Sequence, residues 1–324
     1  MARQILTWFA ASASAAITLA TAAGLLAPLD PRFEMINHFR PYLMAGALIA
    51  FLFALLLRSQ RLVAATGSIA AAIAALVAIP LLYAAPSAPA TTPALRVVTF
   101  NIWNGNRMLP DAAKFLIGTN ADVVVLQEVL CAASDPLFEA LRPAYPHIYR
   151  ASERCFGQAI LSKHPILKTG RRDYNYRAPL WIWAQIAWQG RTIQVTGIHL
   201  AHPTRPRDQA VNVNDLIGYM NATKLPHVIA GDFNLTPYSW LLTKFAHTSG
   251  MRRLATYQRS WPGNFAFPAF LIDHIFASGD FAKADVAVGP YIGSDHLPVI
   301  ADLALRGGSI ATSGPDRFSA RRPF

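Results

Sequence analysis

Three stretches in the first 85 residues, 5–29, 41–57 and 62–85, carry no charged side chain at all. A run of about 17–25 apolar residues crosses the hydrocarbon of a bilayer as a helix. All three qualify, the middle one, with 17 residues, at the lower limit. Basic residues flank them at Arg3 and in the short turn Arg58-Ser-Gln-Arg61, whereas the loop 30–40 is mixed, with Asp30, Arg32, Glu34 and Arg40. By the excess of positive charge on the cytoplasmic side, the N-terminus and the RSQR turn face inward. Three spans then put everything after residue 85 on the outer side of the plasma (inner) membrane. A cleaved signal peptide is the competing reading of the first run.

The rest of the chain has another composition. Five of the 29 basic and two of the 18 acidic residues lie before residue 96, which leaves 24 basic and 16 acidic residues beyond it. That part reads as a basic globular domain, suited to polyanions or to an anionic bilayer surface. The organisation expected is a membrane anchor over 1–85, a Pro/Ala/Thr linker over 86–95, a catalytic domain over 96–305 and a flexible basic tail over 306–324. Ten linker residues reach about 30 Å at most, so the domain stays near the headgroups. Cys131 and Cys155 could pair in an oxidising space or remain two thiols, and no metal-binding cysteine pattern is present.

Within the domain, β-branched runs at 96–102, 122–128, 158–163, 191–200, 227–233, 272–277 and 298–303 predict strands. Helices are expected near 110–119, 135–142, 207–222 and 238–248, the third with Ala210, Val213, Ile217 and Met220 as an apolar stripe. Continuously apolar strands imply sheets covered on both faces, hence an α/β sandwich. Polar groups recur at the strand ends: Asn101, Glu128, His199, Asp232 with Asn234, Asp273 with His274, and Asp295 with His296. The Asp-x-Asn pair in VIAGDFNLTP could be a turn or site residues projecting to one face where a strand leaves the core. Glu128 and Asp295 are hard oxygen ligands suited to Mg²⁺, with Mn²⁺ as an alternative. Imidazoles and a free carboxylate suit stabilisation of phosphoryl oxygens and activation of water. Together these point to metal-assisted phosphoester hydrolysis, and the absence of a Gly-x-x-x-x-Gly-Lys loop argues against nucleotide-driven phosphoryl transfer.

In order, TFNIWNGN, VVVLQEV, FGQAILSKHPI, TGIHL, AGDFNLTP, LIDHIFAS and GSDHLPV resemble the endonuclease/exonuclease/phosphatase superfamily, the DNase I-like fold. The resemblance covers about residues 95–305 and implies a four-layer α/β sandwich of two packed mixed β-sheets between helices. It further implies that Glu128 binds the metal, with Asn101 and Asp295 beside it. Asp232 would orient or deprotonate the attacking water, with Asn234 as its phosphate-contacting partner. His296 would meet the phosphoryl oxygen, held by Asp273, and His199 would help the leaving group. Trp103 stands where the apurinic endonuclease branch has an Asp, which weakens a DNA-repair reading. Asn104 and Asn106 are near enough in sequence to contribute, and Arg205 and Arg207, just after HLAHP, could contact a substrate phosphate or be solvated arginines flanking a helix.

The favoured substrate is a lipid-linked phosphate or phosphodiester at the outer membrane face, so that membrane lipid and phosphoester are the expected partners and no obligate protein partner is evident. An exported DNA or RNA nuclease is the alternative, and a non-catalytic membrane scaffold a third possibility.

Overall fold

The computed structural model describes residues 1–86, 94–129, 132–151, 157–174, 178–254 and 258–306, so Cys131, Cys155 and most of the tail lie outside the described residues. The apolar runs form helices α1 (Ala2–Gly24), α3 (Arg40–Leu56) and α4 (Gln60–Ala78), with a single turn, α2 (Glu34–Asn37), before α3. Helices α1 and α4 are long and apolar enough to cross a membrane; α3 joins them if taken with Pro31–Asn37, from which it bends by 55°. Large apolar side chains such as Trp8, Phe9, Leu19, Ile49 and Leu52 point outward, as expected where the surrounding solvent is itself apolar. Small residues let the helices approach: a Cβ on Gly46 would lie 3.1 Å from Ile17, and one on Gly67 3.1 Å from Phe51. Arg3 Nη2 donates to the carbonyl of Leu57 (2.7 Å), which ties the N-terminus to the end of α3.

Two apolar runs end earlier than their composition predicts. Helix α1 stops at Gly24, and residues 25–39 fold onto the second half of the chain. Helix α4 stops at Ala78, just before Pro80, whose ring removes a helix donor. A 3₁₀ turn over Ile79–Tyr83 follows. Ala84 then pairs in a parallel bridge with Arg253, and Ala85 enters the central core. The last residues of this run are therefore globular packing rather than span.

The remaining helices are α5 (Leu109–Gly118), α6 (Asp135–Leu141), α7 (Pro206–Ala222) and α8 (Trp240–Ser249), within about two residues of their expected bounds. The strands are β1 (Ala94–Asn101), β2 (Val123–Val129), β3 (His147–Ala151), β4 (Gly157–Ser162), β5 (Ile166–Tyr174), β6 (Ala178–Trp188), β7 (Arg191–His199), β8 (His227–Asp232), β9 (Arg252–Arg253), β10 (Asp273–Ala277), β11 (Phe281–Val288) and β12 (Val299–Leu305). They form two six-stranded mixed sheets, ordered β11-β12-β1-β2-β4-β3 and β5-β6-β7-β8-β10-β9.

Strand alternation builds the layers. Val97, Val125, Val195, Val228, Ala230, Ile275 and Ala301 face the partner sheet in one core. Their neighbours face helices: Val98, Phe100 and Leu126 pack on α5 and α6, and Ile229, Phe233 and Phe276 pack on α7 and α8. The result is the expected four-layer α/β sandwich.

The same alternation carries the inward face past its apolar residues to Asn101, Gln127, His199, Asp232 and Asp273. These polar groups therefore gather at one end of the inter-sheet core. Close approach there depends on Gly231, where a Cβ would meet the Ile198 carbonyl of β7 at 2.1 Å. Gly231→Ala is expected to cost about 3 kcal/mol or more through overpacking, read as a lower midpoint in chemical denaturation with an unchanged slope.

Candidate active site

Three neighbouring strands place His199, Asp232 and Asp273 side by side. Asp232 pairs with His199 in the parallel β7–β8 register and with Asp273 in the antiparallel β8–β10 register. Asp232 is 1% exposed. Its Oδ1 accepts from the backbone N–H of Asn234 (2.8 Å), and its Oδ2 accepts from Asn101 Nδ2 (3.2 Å) and Asn234 Nδ2 (3.3 Å). Nε2 of His199 and Nε2 of His296 stand 3.6 and 3.7 Å from the same oxygen. The Asp-x-Asn pair is thus both a turn and part of the polar cluster: Asn234 takes a positive φ of 52°, which Asn tolerates better than most residues.

His296 comes from the loop before β12. Its Nδ1 is 2.9 Å from Asp273 Oδ2, which fixes the ring and turns Nε2 toward Asp232. Burial works against a charged imidazole, but the carboxylates of Asp273 and Asp232 outweigh it and hold the pKa of His296 up at about 10. Burial, reinforced by Asp273 and opposed by the two histidines, pushes Asp232 up to about 6. At neutral pH the cluster therefore holds an imidazolium against a carboxylate that accepts protons more readily than a solvated one.

Glu128 reaches the site through a β-bulge. Gln127 pairs with Gln158 and Val129 with Gly157, so Glu128 lies between them outside the ladder, with a φ of 56°. A bulge re-aims one side chain, and a bulky residue in this backbone region stores roughly 1–3 kcal/mol of strain. Glu128 Oε1 accepts from Asn101 Nδ2 (3.0 Å) and its Oε2 from the backbone N–H of Asn104 (3.3 Å). Asp295 faces the same cleft and accepts from Trp261 Nε1 (3.3 Å).

The eight principal residues expected from sequence come together, though not all as expected. Asn101 turns its amide nitrogen to Glu128 and Asp232 and its oxygen to the Trp103 N–H (3.1 Å), so it bridges the two carboxylates. Asn104 contributes a backbone N–H, with its side chain exposed. Asn106 is a structural residue bonded to the Ile292 carbonyl. Arg205 lies at the cleft mouth, whereas Arg207 is exposed and outside the lining. His274, facing the other side of β10, donates to the Leu235 carbonyl (2.7 Å).

Asp232, Asp273 and His296 form a buried group whose ligand atoms lie within 4.8 Å of one another, a geometry that could hold a metal. Within that group, Asp273 and His296 are already hydrogen-bonded to each other (2.9 Å). Glu128 and Asp295, two cleft-facing carboxylates, are an oxygen donor set that fits a hard divalent ion.

Several supporting residues carried no signal of their own in the sequence. Ser294 Oγ donates to the Asn101 carbonyl (2.7 Å) and accepts from the His296 N–H (3.0 Å), so it ties the end of β1 to the loop before β12. Ser260 Oγ accepts from the N–H of Asp273 (3.1 Å). Gln209, reaching in from α7, donates to the carbonyls of Ala201 and Asn234, both at 2.9 Å.

The Endonuclease/Exonuclease/phosphatase family model matches residues 98–296, which span both sheets and every member of the cluster. The chain belongs to that family of divalent-metal-dependent phosphoester hydrolases. Among solved structures it is similar to an endonuclease/exonuclease/phosphatase from Beutenbergia cavernae (21% identity, 68% of this chain and 73% of that one, TM-score 0.57). It is also similar to D. rerio TDP2 complexed with a single-strand DNA product (15% identity, 65% and 98% covered, TM-score 0.57). A third is a mannosyl-6-phosphatase from Bacteroides thetaiotaomicron (16% identity, 65% and 100% covered, TM-score 0.52). No curated protein matches.

The Asp273–His296 pair gives a direct test of the electrostatics. Replacing Asp273 by Asn removes one of the two carboxylates that hold the proton on His296. Nitrogen-15 NMR should show a doubly protonated His296 ring at neutral pH in the native protein, and a lowered pKa in Asp273→Asn. An unchanged ring titration would show that Asp273 does not hold the charge.

Proposed function

We propose that the chain is a membrane-anchored, divalent-metal-dependent phosphoester hydrolase acting on a lipid-linked phosphate at the outer face of the membrane. The observation that carries this reading is where the cleft stands. The polar cluster opens beside the segment joining the first two apolar helices, which is bonded to the domain at Thr236 and Leu241, while Tyr42 in the first turn of α3 is bonded to Ala269. This contact supports the topology as well. The segment between α1 and α3 and the domain after α4 share one side of the membrane only if α3 and α4 both cross or neither does. With α1, α3 and α4 all crossing, Arg3 and the Arg58–Arg61 turn lie together on the opposite side, the cytoplasmic one by the bias of positive charge.

In the reaction, Asp232 accepts the proton of the attacking water, and Asn101 and Asn234 hold its carboxylate in line. The water oxygen forms a bond to phosphorus as the ester oxygen departs. The imidazolium of His296, oriented by Asp273, donates to a non-bridging phosphoryl oxygen on which charge gathers. His199, half-exposed on the cleft side of Asp232, stands where it can protonate the departing oxygen. Glu128 and Asp295 would hold Mg²⁺ or Mn²⁺, which when bound neutralises phosphoryl charge. Arg205 at the mouth suits a second anionic group. The excess of basic residues beyond residue 95, 24 against 16 acidic with the tail included, favours nucleic acid as the second reading.

Asp232→Asn should lower kcat by about 10²–10⁴-fold with KM little changed, because general-base assistance acts in the transition state. A kcat near that of the native protein would remove Asp232 from this role. Full-length protein in detergent should release phosphate or headgroup from polyprenyl phosphate or phospholipid with Mg²⁺ and stop in EDTA. Turnover of plasmid DNA alone would instead establish the nuclease.

A further inference from the structure

The cleft has a volume of about 1110 Å³, at or above the upper end of the roughly 300–1,000 Å³ common for small-molecule sites. Part of its wall does not come from the sandwich. Met35, His38 and Phe39, from the segment between α1 and α3, line it together with Phe270, Pro268 and Ile272. That segment is held from within by a buried polar chain. Arg40 Nη2 donates to Asn37 Oδ1 (2.8 Å), Asn37 Nδ2 to Glu34 Oε2 (3.2 Å), and the Leu241 N–H to Glu34 Oε1 (3.4 Å). Glu34 and Asn37 are each 1% exposed. An ordered, desolvated set of this kind fixes a wall in place.

His38 carries the chemical content of that wall. It is 5% exposed. Its Nδ1 accepts from the backbone N–H of Thr236 (3.2 Å), two residues beyond Asn234, and also faces the Thr236 hydroxyl. A ring nitrogen that accepts is unprotonated, so the proton sits on Nε2. That Nε2 is buried and has no partner. Burial lowers the pKa of His38 to about 4, so the ring is a neutral donor rather than a charge. A buried donor without an acceptor is destabilising, and here it belongs to a residue lining the cleft. A role limited to docking the segment would use Nδ1 alone.

The apolar surface beside His38 runs toward the membrane helices. Phe39 meets Phe270 edge-on at 5.5 Å, and Tyr42, in the first turn of α3, meets Phe267 edge-on at 5.4 Å. Phe267 is 74% and Phe265 61% exposed. Exposed aromatic rings next to the start of an apolar helix suit the headgroup level of a bilayer. Met35, Phe39 and Phe270 line the cleft, and Tyr42 and Phe267 continue this aromatic surface at the first turn of α3.

From this juxtaposition we infer that the segment joining the first two membrane helices is part of the substrate site. His38 Nε2–H donates to an oxygen of the substrate's polar head, and Met35 and Phe39, with Phe270, seat the first methylenes of its hydrocarbon chain. The ligand class is a phosphoester on a single long alkyl, acyl or prenyl chain that stays in the bilayer. The inference rests on the hydrolase reading of the same site.

Binding separates the two. Full-length protein in phosphatidylcholine nanodiscs would be titrated with decylphosphonate and methylphosphonate in Mg²⁺, with empty nanodiscs as the blank for partitioning. The native protein should bind the decyl compound at least about a hundredfold more tightly, since each buried methylene contributes about 0.8 kcal/mol. Met35→Ala and Phe39→Ala should each reduce that preference by about tenfold. His38→Asn keeps an acceptor for Thr236 but removes the unpartnered Nε2 donor, and should weaken both ligands by about fivefold to tenfold. His38→Gln, which restores a donor near the Nε2 position, should recover most of that loss, a rescue that a purely structural role would not give. A native protein without chain-length preference, or a preference unchanged in both wall variants, overturns the inference, as does native-like affinity in a folded His38→Asn. Preserved decylphosphonate binding without turnover of any phosphoester would instead overturn the hydrolase reading and leave the wall standing.

Discussion

The carboxylate of Asp232 sits where the two sheets, the α7 side and the β10–β12 region all meet. Taking such a group out of water costs several kcal/mol unless partners replace the lost hydration. Asn101 from one sheet, Asn234 from the loop after β8, and two imidazoles supply them. Each partner is positioned in turn. Ser294 binds both the end of β1 and His296, Asp273 orients His296, and Gln209 fixes the carbonyl of Asn234. The sandwich is therefore specified most tightly at its polar end, where the apolar core contributes rigidity and the hydrogen bonds set position.

How much of the fold could be read from sequence follows from where each strand lies. β1, β2, β4, β7, β8, β10 and β12 are central or near-central strands, buried on both faces, and their continuous Val/Ile/Leu runs are visible as strands. The four sheet edges, β3, β5, β9 and β11, escaped, because an edge strand is half-solvated and can carry charge: ILKTGRRDY in β5 and FAKADVAV in β11 are examples. β6 escaped for another reason. Its Trp181 and Trp183 face the α7 layer while Ile182, Ala184 and Ile186 face the core, an alternation present in WIWAQIAW and not extracted from it.

The candidate site was more legible than the fold around it, since chemistry needs particular functional groups and strand ends announce themselves. What the residues alone did not show is relational. The bulge that turns Glu128 outward depends on a mismatch with β4, and the hydrogen bonds of Ser294 and Ser260 depend on segments distant in sequence. The apolar count also misplaced two boundaries. Residues 25–29 and 79–85 are apolar enough for lipid, yet they leave their helices to turn toward or pack on the globular part, because hydrophobicity alone does not distinguish a bilayer from a protein core.

The N-terminal apolar helices are joined to the sandwich at two places, the 3₁₀ turn after α4 with its Ala84–Arg253 bridge and the Glu34–Tyr42 segment. Two attachments remove the swinging freedom that one linker would leave, so in the proposed membrane topology the cleft keeps a fixed height and tilt over the surface. For a substrate carried in the lipid, encounter then becomes a search in two dimensions. Its rate is set by lateral diffusion and by the mole fraction of substrate in the leaflet. Diluting the surface with inert lipid would slow such a catalyst, whereas diluting the vesicles in buffer would not.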